Sequence, residues 1–471
     1  MLWLIRLSSD LTTKLHNTRK RFQARLVRNL KDALDTHNVS YQLDAAWSRF
    51  FLESDDPRVP QLLEHVFGLH SYSLVYPRPL TTFDDLIAQG KEIFEDRVKD
   101  KTYAVRARKV KNSEFSAMQI QQHLGFALNE HATVNLSNPE VEVNVEVRED
   151  KVYFFSEKYD GPKGLPLNIE GRALCLMSGG FDSAVAAWML LKRGLALDYV
   201  FFRLGGEAHE QDVNRVVKVL SDHWSFGYQP RLYVIPFEDV VQQIQDHVHT
   251  RFWQLILKRQ MYRVAQALAH RCKLNTLVTG EALGQVSSQT LANLEALNVT
   301  GQTPILRPLI GFDKNEIIKK AFQIGTGQMS EGVPEYCAIV PSRPSTGSKY
   351  ETLDEQEAHL NTDIESLVEN ARRIHLRGES LSAPQRETVS KVPNEEGAVL
   401  LDIRTETEFR RGHDDRATHL EFAYALDFFK KLDQQMQYYI YCGMGLKSAS
   451  LVERMRAADY QAWVYQPEKP S

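Results

Sequence analysis

The chain is poor in cysteine. Its 471 residues include four, Cys175, Cys272, Cys337 and Cys442, and no two form a C-x-x-C pair. That spacing excludes the common zinc-finger patterns and a secreted disulfide framework, and it suits a reducing, cytoplasmic setting. Long apolar runs are also missing. The opening Met1-Leu2-Trp3-Leu4-Ile5-Arg6-Leu7 is far too short to span a bilayer and lacks a signal peptide's layout, so it reads as a first β-strand and no membrane partner is expected. Charge of one sign is not in excess either. The net charge is −4, so any nucleic-acid surface has to come from local clustering. No repeat of solenoid period is present. A chain of 471 residues is too long for one core, and two to four domains are expected.

What is present centres on Ser178-Gly179-Gly180-Phe181-Asp182-Ser183. The apolar run Ala173–Met177 before it reads as a buried strand. Ala184–Leu191 after it reads as a helix, closed by Lys192-Arg193-Gly194. Strand, glycine turn and helix N-terminus make an anion site, because glycines let backbone N–H groups approach phosphate oxygens at the positive end of the helix dipole. No Gly-Lys-Ser/Thr follows, so this is not a Walker A loop. The loop resembles the pyrophosphate loop of enzymes that split ATP to AMP and pyrophosphate.

Upstream, the spacing predicts a helix from about Lys14 to Leu34, with Phe22, Leu26, Leu30 and Ala33 on its buried face. No acidic residue lies between Lys14 and Lys31, and Arg21, Arg25 and Arg28 share a side, which suits either a solvated face or a polyanion. Pro57 and Pro60 mark a boundary. Thr102–Lys111 reads as a strand with Arg106 and Arg108 on one face and Lys109 beside them. A helix follows from about Glu114 to Glu130, then strands at Val141–Val147 and Lys151–Phe155. This order suits a small α+β RNA-binding module. Downstream, strands at Asp198–Phe202, Arg231–Pro236 and Thr276–Thr279 alternate with helices. The pattern predicts a doubly wound parallel sheet with its ligand at the strand C-termini. Residues 343–395 read as a linker without strand pattern, carrying one charged helix from Leu353 to Leu376. Beyond it, Ala398–Arg404 is a buried strand. Tyr438–Tyr441 is another, and it runs into Cys442-Gly443-Met444-Gly445-Leu446-Lys447-Ser448 ahead of a helix. A cysteine between strand and helix N-terminus is placed to be held as a thiolate by loop N–H groups and the helix dipole. That last segment resembles a rhodanese domain.

Together these segments resemble the tRNA 4-thiouridine synthetases, also called thiamine-biosynthesis tRNA sulfurtransferases. The resemblance implies an N-terminal ferredoxin-like domain (1–56), a THUMP tRNA-binding domain (57–165), an ATP-pyrophosphatase domain (166–342), the linker (343–395) and a rhodanese-like domain (396–471). It also implies site residues. Leu176, Met177, Ser178, Gly179, Gly180, Ser183, Lys258, Gly280 and Gln289 fall where the family binds ATP, which is used with Mg2+. Asp182 matches the essential loop aspartate. Lys314 would offset charge on phosphate. Cys442 would carry the persulfide, and Cys337, in Pro-Glu-Tyr-Cys, would resolve it. The implied reaction is adenylation of the C4 oxygen of uridine 8 of tRNA, then persulfide attack. The implied partners are tRNA, a cysteine desulfurase, a thiol reductant and a sulfur carrier for the thiamine thiazole. No metal site built from the protein alone is expected. The rivals are a sulfur carrier serving thiazole synthesis only, a pyrophosphatase-loop thiolase with another target base, and an RNA-binding protein with a dead loop. The basic helix and the Arg106/Arg108 strand oppose the first, the absence of C-x-x-C opposes the second, and the intact Asp182 opposes the third.

Overall fold

The chain is described from a computed structural model, over residues 1–47, 49–110, 115–204, 206–298, 303–333, 343–377, 388–392, 397–442 and 446–466. It divides into two units. The first is Met1–Ile169 with Lys192–Gly194, and the second is Glu170–Leu191 with Leu195–Ser471.

The first unit is built on one long sheet. Strand β1 (Leu2–Leu7) is followed by helix α1 (His16–Thr36), β2 (Gln42–Ala45), β3 (Arg49–Glu53), α2 (Val59–Glu64) and β4 (Leu69–Pro79). Then come α3 (Phe83–Val98), β5 (Thr102–Val110), α4 (Ala117–Leu128), β6 (Val141–Arg148) and β7 (Lys151–Phe155). The sheet order is β2-β3-β1-β4-β7-β6-β5. Strand β1 is central and buries side chains on both faces, which is why it is a continuous apolar run rather than an alternating one. Strand β4 pairs with β1 along most of its length and with β7 at its end, so one strand carries the sheet from the N-terminal module into the next. Helix α1 starts two residues later than expected and buries Phe22, Leu26, Leu30 and Ala33 as its spacing requires. Phe22, Leu26 and Leu30 each contribute roughly 1.5–3 kcal/mol of burial. Helix α4 is set by a capping box, Ser116 and Gln119 each bonding the other's backbone N–H.

In the second unit, β8 (Arg172–Leu176) leads through the glycine loop into α5 (Phe181–Lys192). There follow β9 (Ala196–Arg203), α6 (Gly206–Trp224), β10 (Arg231–Pro236), α7 (Glu238–His247), α8 (Trp253–Arg271), β11 (Leu277–Val278), β12 (Ile305–Leu306) and α9 (Lys314–Gln323). The sheet order is β12-β11-β8-β9-β10, all parallel. Chain order reverses on either side of β8, so the loops after β8 and β11 sit together at the switch point, where such sheets bind ligands.

The linker region differs from its expectation. In place of one helix it holds α10 (Tyr350–Glu357), α11 (Ile364–Glu369) and β13 (Arg372–His375). Asp363 caps α11 from the break between the helices. Strand β13 pairs antiparallel with β10 and closes that edge of the sheet. Its sequence, Arg-Arg-Ile-His, has one apolar residue and therefore no strand signature. A charged edge strand is a usual way to protect a sheet from further pairing. Much of the Ser/Pro/Glu-rich run beyond it lies outside the described residues.

The last segment is an α/β layer. It comprises β14 (Thr388–Val389), β15 (Ala398–Asp402), α12 (Glu406–Arg411), β16 (Ala417–His419), α13 (Phe422–Phe428), β17 (Gln437–Tyr441), α14 (Leu446–Ala457) and β18 (Gln461–Tyr465). The parallel order is β14-β18-β17-β15-β16. Leu401, Ile403, Tyr438, Ile440, Leu451 and Val464 share its core.

Candidate active site

The glycine loop is tied to itself. The Ser178 N–H donates to Ser183 Oγ at 3.3 Å, and Ser183 Oγ donates to the Gly180 carbonyl at 3.1 Å. Gly179 has φ +80°, a left-handed conformation that favours glycine, and a Cβ there would lie 3.0 Å from Val213 on α6. The second required glycine is Gly280, after β11. A Cβ on it would lie 2.7 Å from the backbone of Asp182 and Ser183, so the two loops touch main chain to main chain.

Asp182 lies in the first turn of α5, where a carboxylate suits the helix dipole. Its oxygens accept from Lys314 Nζ at 3.0 and 3.1 Å and from Gln285 Nε2 at 2.9 Å. Lys314 is the first residue of α9, an end that disfavours a cation by itself, and the Asp182 carboxylate offsets that. Asp182 on this loop and Lys314 on α9, both expected to be catalytic, are therefore an ion pair across 132 positions of sequence.

A second charged group lies behind it. Glu281 is 5% exposed and accepts from Lys258 Nζ at 3.1 Å, Arg307 Nε at 2.7 Å and Thr279 Oγ1 at 3.2 Å. Burial pushes its carboxyl upward, but Lys258 and Arg307 overcome that and hold it at about 2. Lys258 is thus pinned by a buried carboxylate in the loop after β11. Sequence reading missed Glu281 and Arg307, since an acid in the loop after a strand carries no signal until its partners are known. Gln289 turns Oε1 toward the Ala282 N–H at 3.4 Å and accepts from Gly284 through its own carbonyl at 2.9 Å, closing the loop after β11 on itself. Met177 is buried just after β8, and Leu176 packs against the core.

Cys442 follows β17 directly, half-buried, with its Sγ 3.6 Å from Ser448 Oγ on α14. Ser448 is fully buried. Gly443–Gly445 and Cys337, the residue expected to resolve the persulfide, lie outside the described residues. On the neighbouring strand, buried Asp402 holds Arg404 through both carboxylate oxygens, and Arg404 also donates to the Gly412 carbonyl at 2.8 Å. Burial pushes the Asp402 carboxyl up, and hydrogen bonds from Arg404 and Tyr441 outweigh that to bring it below its ordinary value. The pair fixes the β15 end beside the cysteine strand. Cys175 is fully buried, and burial pushes its thiol well up, which leaves it inert.

The first unit carries a basic groove of about 420 Å³, lined by Arg6, Arg49, Arg106, Arg108, His70 and Lys158 among others. Arg6 is 9% exposed, donates to Ser73 Oγ at 3.0 Å and lies over the Phe155 ring. Its second terminal nitrogen has no hydrogen-bond partner among the described residues. Burial, with Arg49, Arg108 and Arg148 nearby, lowers the Arg6 guanidinium to about 10 despite Glu146. Four guanidinium groups around one carboxylate leave a net positive, partly dehydrated surface. Of the expected tRNA contacts, Arg106 and Arg108 line this groove. Lys109 instead donates to the Phe115 carbonyl at 2.7 Å, and Arg21, Arg25 and Arg28 lie on α1, apart from the groove lining. Arg6 was hidden in an opening run that read as an apolar strand, and Arg49 in a stretch with no reading of its own.

Comparisons with known proteins match the chain in four segments. The family model "Thiamine biosynthesis protein (ThiI)" matches residues 168–362, the "ThiI ferredoxin-like domain" 2–73, the "THUMP domain" 81–157 and the "Rhodanese-like domain" 386–466. The tRNA sulfurtransferase of Actinobacillus succinogenes is 35% identical over 95% of this chain and 96% of that protein. That of Citrobacter koseri is 33% identical over 99% of this chain and all of that protein, 100%. Among solved structures, a 4-thiouridine synthetase in complex with RNA and bound ATP matches with TM-score 0.69 and 27% identity, over 79% of this chain and 98% of the other. Matched along 95% and 99% of its length by relatives 35% and 33% identical to it, the chain belongs to the tRNA sulfurtransferase family.

Proposed function

We propose that this chain converts uridine 8 of tRNA to 4-thiouridine with ATP, and that the sulfur travels as a persulfide on Cys442. The observation that carries the reading is the Asp182–Lys314 pair on a phosphate-type loop at the sheet's switch point, in a chain that also holds Cys442 at a strand–helix loop. Two such sites supply the two halves of a thiolation: a leaving group and a sulfur nucleophile.

The backbone N–H groups after Ser178 in the glycine loop and at the α5 N-terminus face the phosphates of ATP. The uridine C4 oxygen attacks the α-phosphorus and pyrophosphate leaves, giving an adenylated base. Lys314 offsets charge on the phosphate in the transition state, steered by Asp182. Lys258, held by Glu281, adds a second positive charge. Among the described residues no cluster of three or more metal-ligating side chains occurs. Mg2+ commonly takes one or two carboxylates and fills its shell with phosphate oxygens and water, so the single Asp182 carboxylate fits an ion carried on ATP. Such an ion would be held there by Asp182 and supply Lewis-acid stabilisation of the leaving pyrophosphate.

A cysteine desulfurase transfers sulfur to Cys442. The terminal sulfur attacks C4, AMP leaves, and the base is joined to Cys442 through a disulfide. The Cys337 thiolate attacks the Cys442 sulfur, releasing 4-thiouridine and leaving a Cys337–Cys442 disulfide that a thiol reductant reopens. The same persulfide supplies a sulfur carrier for the thiamine thiazole. The groove around Arg6 and Arg108 binds the tRNA backbone, where guanidinium groups recognise phosphate.

The test is a reconstitution with tRNA, ATP, Mg2+, cysteine and a desulfurase, read by nucleoside mass spectrometry. 4-Thiouridine is expected with the intact chain and none with Cys442→Ser. Cys337→Ser is expected to load sulfur but to stall with the tRNA base joined to Cys442, releasing no 4-thiouridine until an added thiol takes the place of Cys337. Absence of 4-thiouridine with the intact chain, or multiple turnover by Cys442→Ser, overturns the reading.

A further inference from the structure

Helix α6 follows β9 at the same sheet edge as the glycine loop, and its first turns meet two other parts of the second unit. His209, in the first turns of α6, is 3% exposed. Its Nε2 lies 3.3 Å from the Ser178 carbonyl oxygen, at the mouth of the glycine loop. Its ring stands edge-on to Phe201 of β9, with centroids 4.9 Å apart at 90°. Burial lowers the imidazole to about 4, the Ser178 bond opposes this, and Arg454 of α14 adds to the lowering. The ring is therefore neutral at physiological pH, and the contact to a carbonyl fixes its proton on Nε2. Two residues earlier in the same helix, the Glu207 N–H donates to Glu453 Oε1 at 2.8 Å, so an α14 carboxylate caps the positive end of α6. Helix α14 is the helix that follows Cys442, and it packs alongside α6.

We propose that His209 is a positioning residue for the phosphate loop, and that the sulfur-carrying domain, through Glu453 and Arg454 of α14, acts on that loop through the same turn of α6. The proposal rests on the reading of Ser178–Ser183 as an ATP site. A phosphate loop works by aiming its N–H groups. Each peptide's carbonyl points opposite to its N–H, so a donor clamped on the Ser178 carbonyl orients the Ser178–Gly179 peptide and with it the Gly179 N–H. A buried hydrogen bond in a site of low dielectric holds that orientation better than water would. Docking or release of α14 changes the cap and the charge at this turn, which gives the domain that brings sulfur a physical route to the domain that activates the base.

The experiment measures Mg-ATP affinity of the full chain by calorimetry, together with persulfide loading of Cys442 from a desulfurase. His209→Phe keeps the packing on Phe201 and removes the donor. His209→Gln keeps an N–H donor. His209→Phe is expected to weaken ATP binding about ten-fold, the usual cost of one buried hydrogen bond. His209→Gln is expected to recover most of it, and Cys442 loading is expected to stay at the wild-type level in both. Equal affinity in His209→Phe, or a loss in His209→Gln as large as in His209→Phe, overturns the positioning role. The pair Glu453→Ala and Arg454→Ala, combined in one chain, is expected to shift ATP affinity about two- to five-fold. No shift overturns the link to the sulfur domain. Absence of ATP binding by the wild-type chain overturns the ATP reading itself, which separates the two failures.

Discussion

At the scale of single residues, the second unit stores its charges in pairs. Asp182 meets Lys314, Glu281 meets Lys258 and Arg307, and Asp402 meets Arg404. A buried carboxylate held by two cations costs desolvation and is strongly missed when one partner is removed. Glu281 has its carboxyl held at about 2 in the folded chain against an ordinary 4.5. Its folded value is depressed, so it contributes stability that is present in full above the unfolded value and lost as pH falls from about 4.5 toward 2. Glu281→Gln is expected to cost about 3 kcal/mol at neutral pH. The difference from the parent chain should shrink as pH falls through that window in denaturant titrations. A pH-independent difference would assign the loss to packing instead.

At the scale of elements, the site depends on two loops pressed together at the switch point. The loop after β8 bends at Gly179, and the loop after β11 passes its backbone through Gly280. Gly280→Ala places a methyl group against main chain, which has no flexible end to yield. The expected outcome is a fall in pyrophosphate release of about 100-fold, the scale of an ångström-level misplacement of catalytic groups. Circular dichroism and Cys442 loading should be unchanged. Full activity in Gly280→Ala would mean the loops separate during turnover. The charge on β13 belongs to the same scale. Its arginines give no strand signal, yet Arg372 pairs with Glu210 of α6 while Ile374 is buried against the sheet. Backbone pairing with β10, not side-chain alternation, made it a strand.

At the scale of the whole molecule, a net charge of −4 conceals a local positive groove in the first unit. Nucleic-acid affinity set by such a groove falls with salt in proportion to the number of phosphates neutralised. Arg108→Ala, exposed and free of core packing, is expected to reduce the slope of log affinity for tRNA against log salt by about 1. Arg6→Met, which keeps the apolar stem against Phe155, is expected to do the same. Filter binding across salt concentrations reads both. An unchanged slope in both variants would move the tRNA surface elsewhere, with the basic face of α1 as the next place to look. Among the described residues no helix is long and apolar enough to cross a membrane.

The sequence by itself determined the local chemistry. Ser178–Ser183 between a buried strand and a helix, and Cys442 between another strand and helix, are determined by neighbours within ten residues. So are the buried face of α1 and the alternation of β6. Backbone conformation and periodicity are short-range properties, and they leave short-range marks. The tertiary structure decided what those residues meet. The pairing of Asp182 with Lys314, of Glu281 with Lys258 and Arg307, and of His209 with the Ser178 carbonyl all join distant positions. So does the clustering of Arg6 with Arg49, Arg108 and Arg148 around Glu146. No pattern along the chain records such partners, because electrostatic and hydrogen-bond energies depend on distance in space, and only the folded sheets bring these groups within a few ångströms.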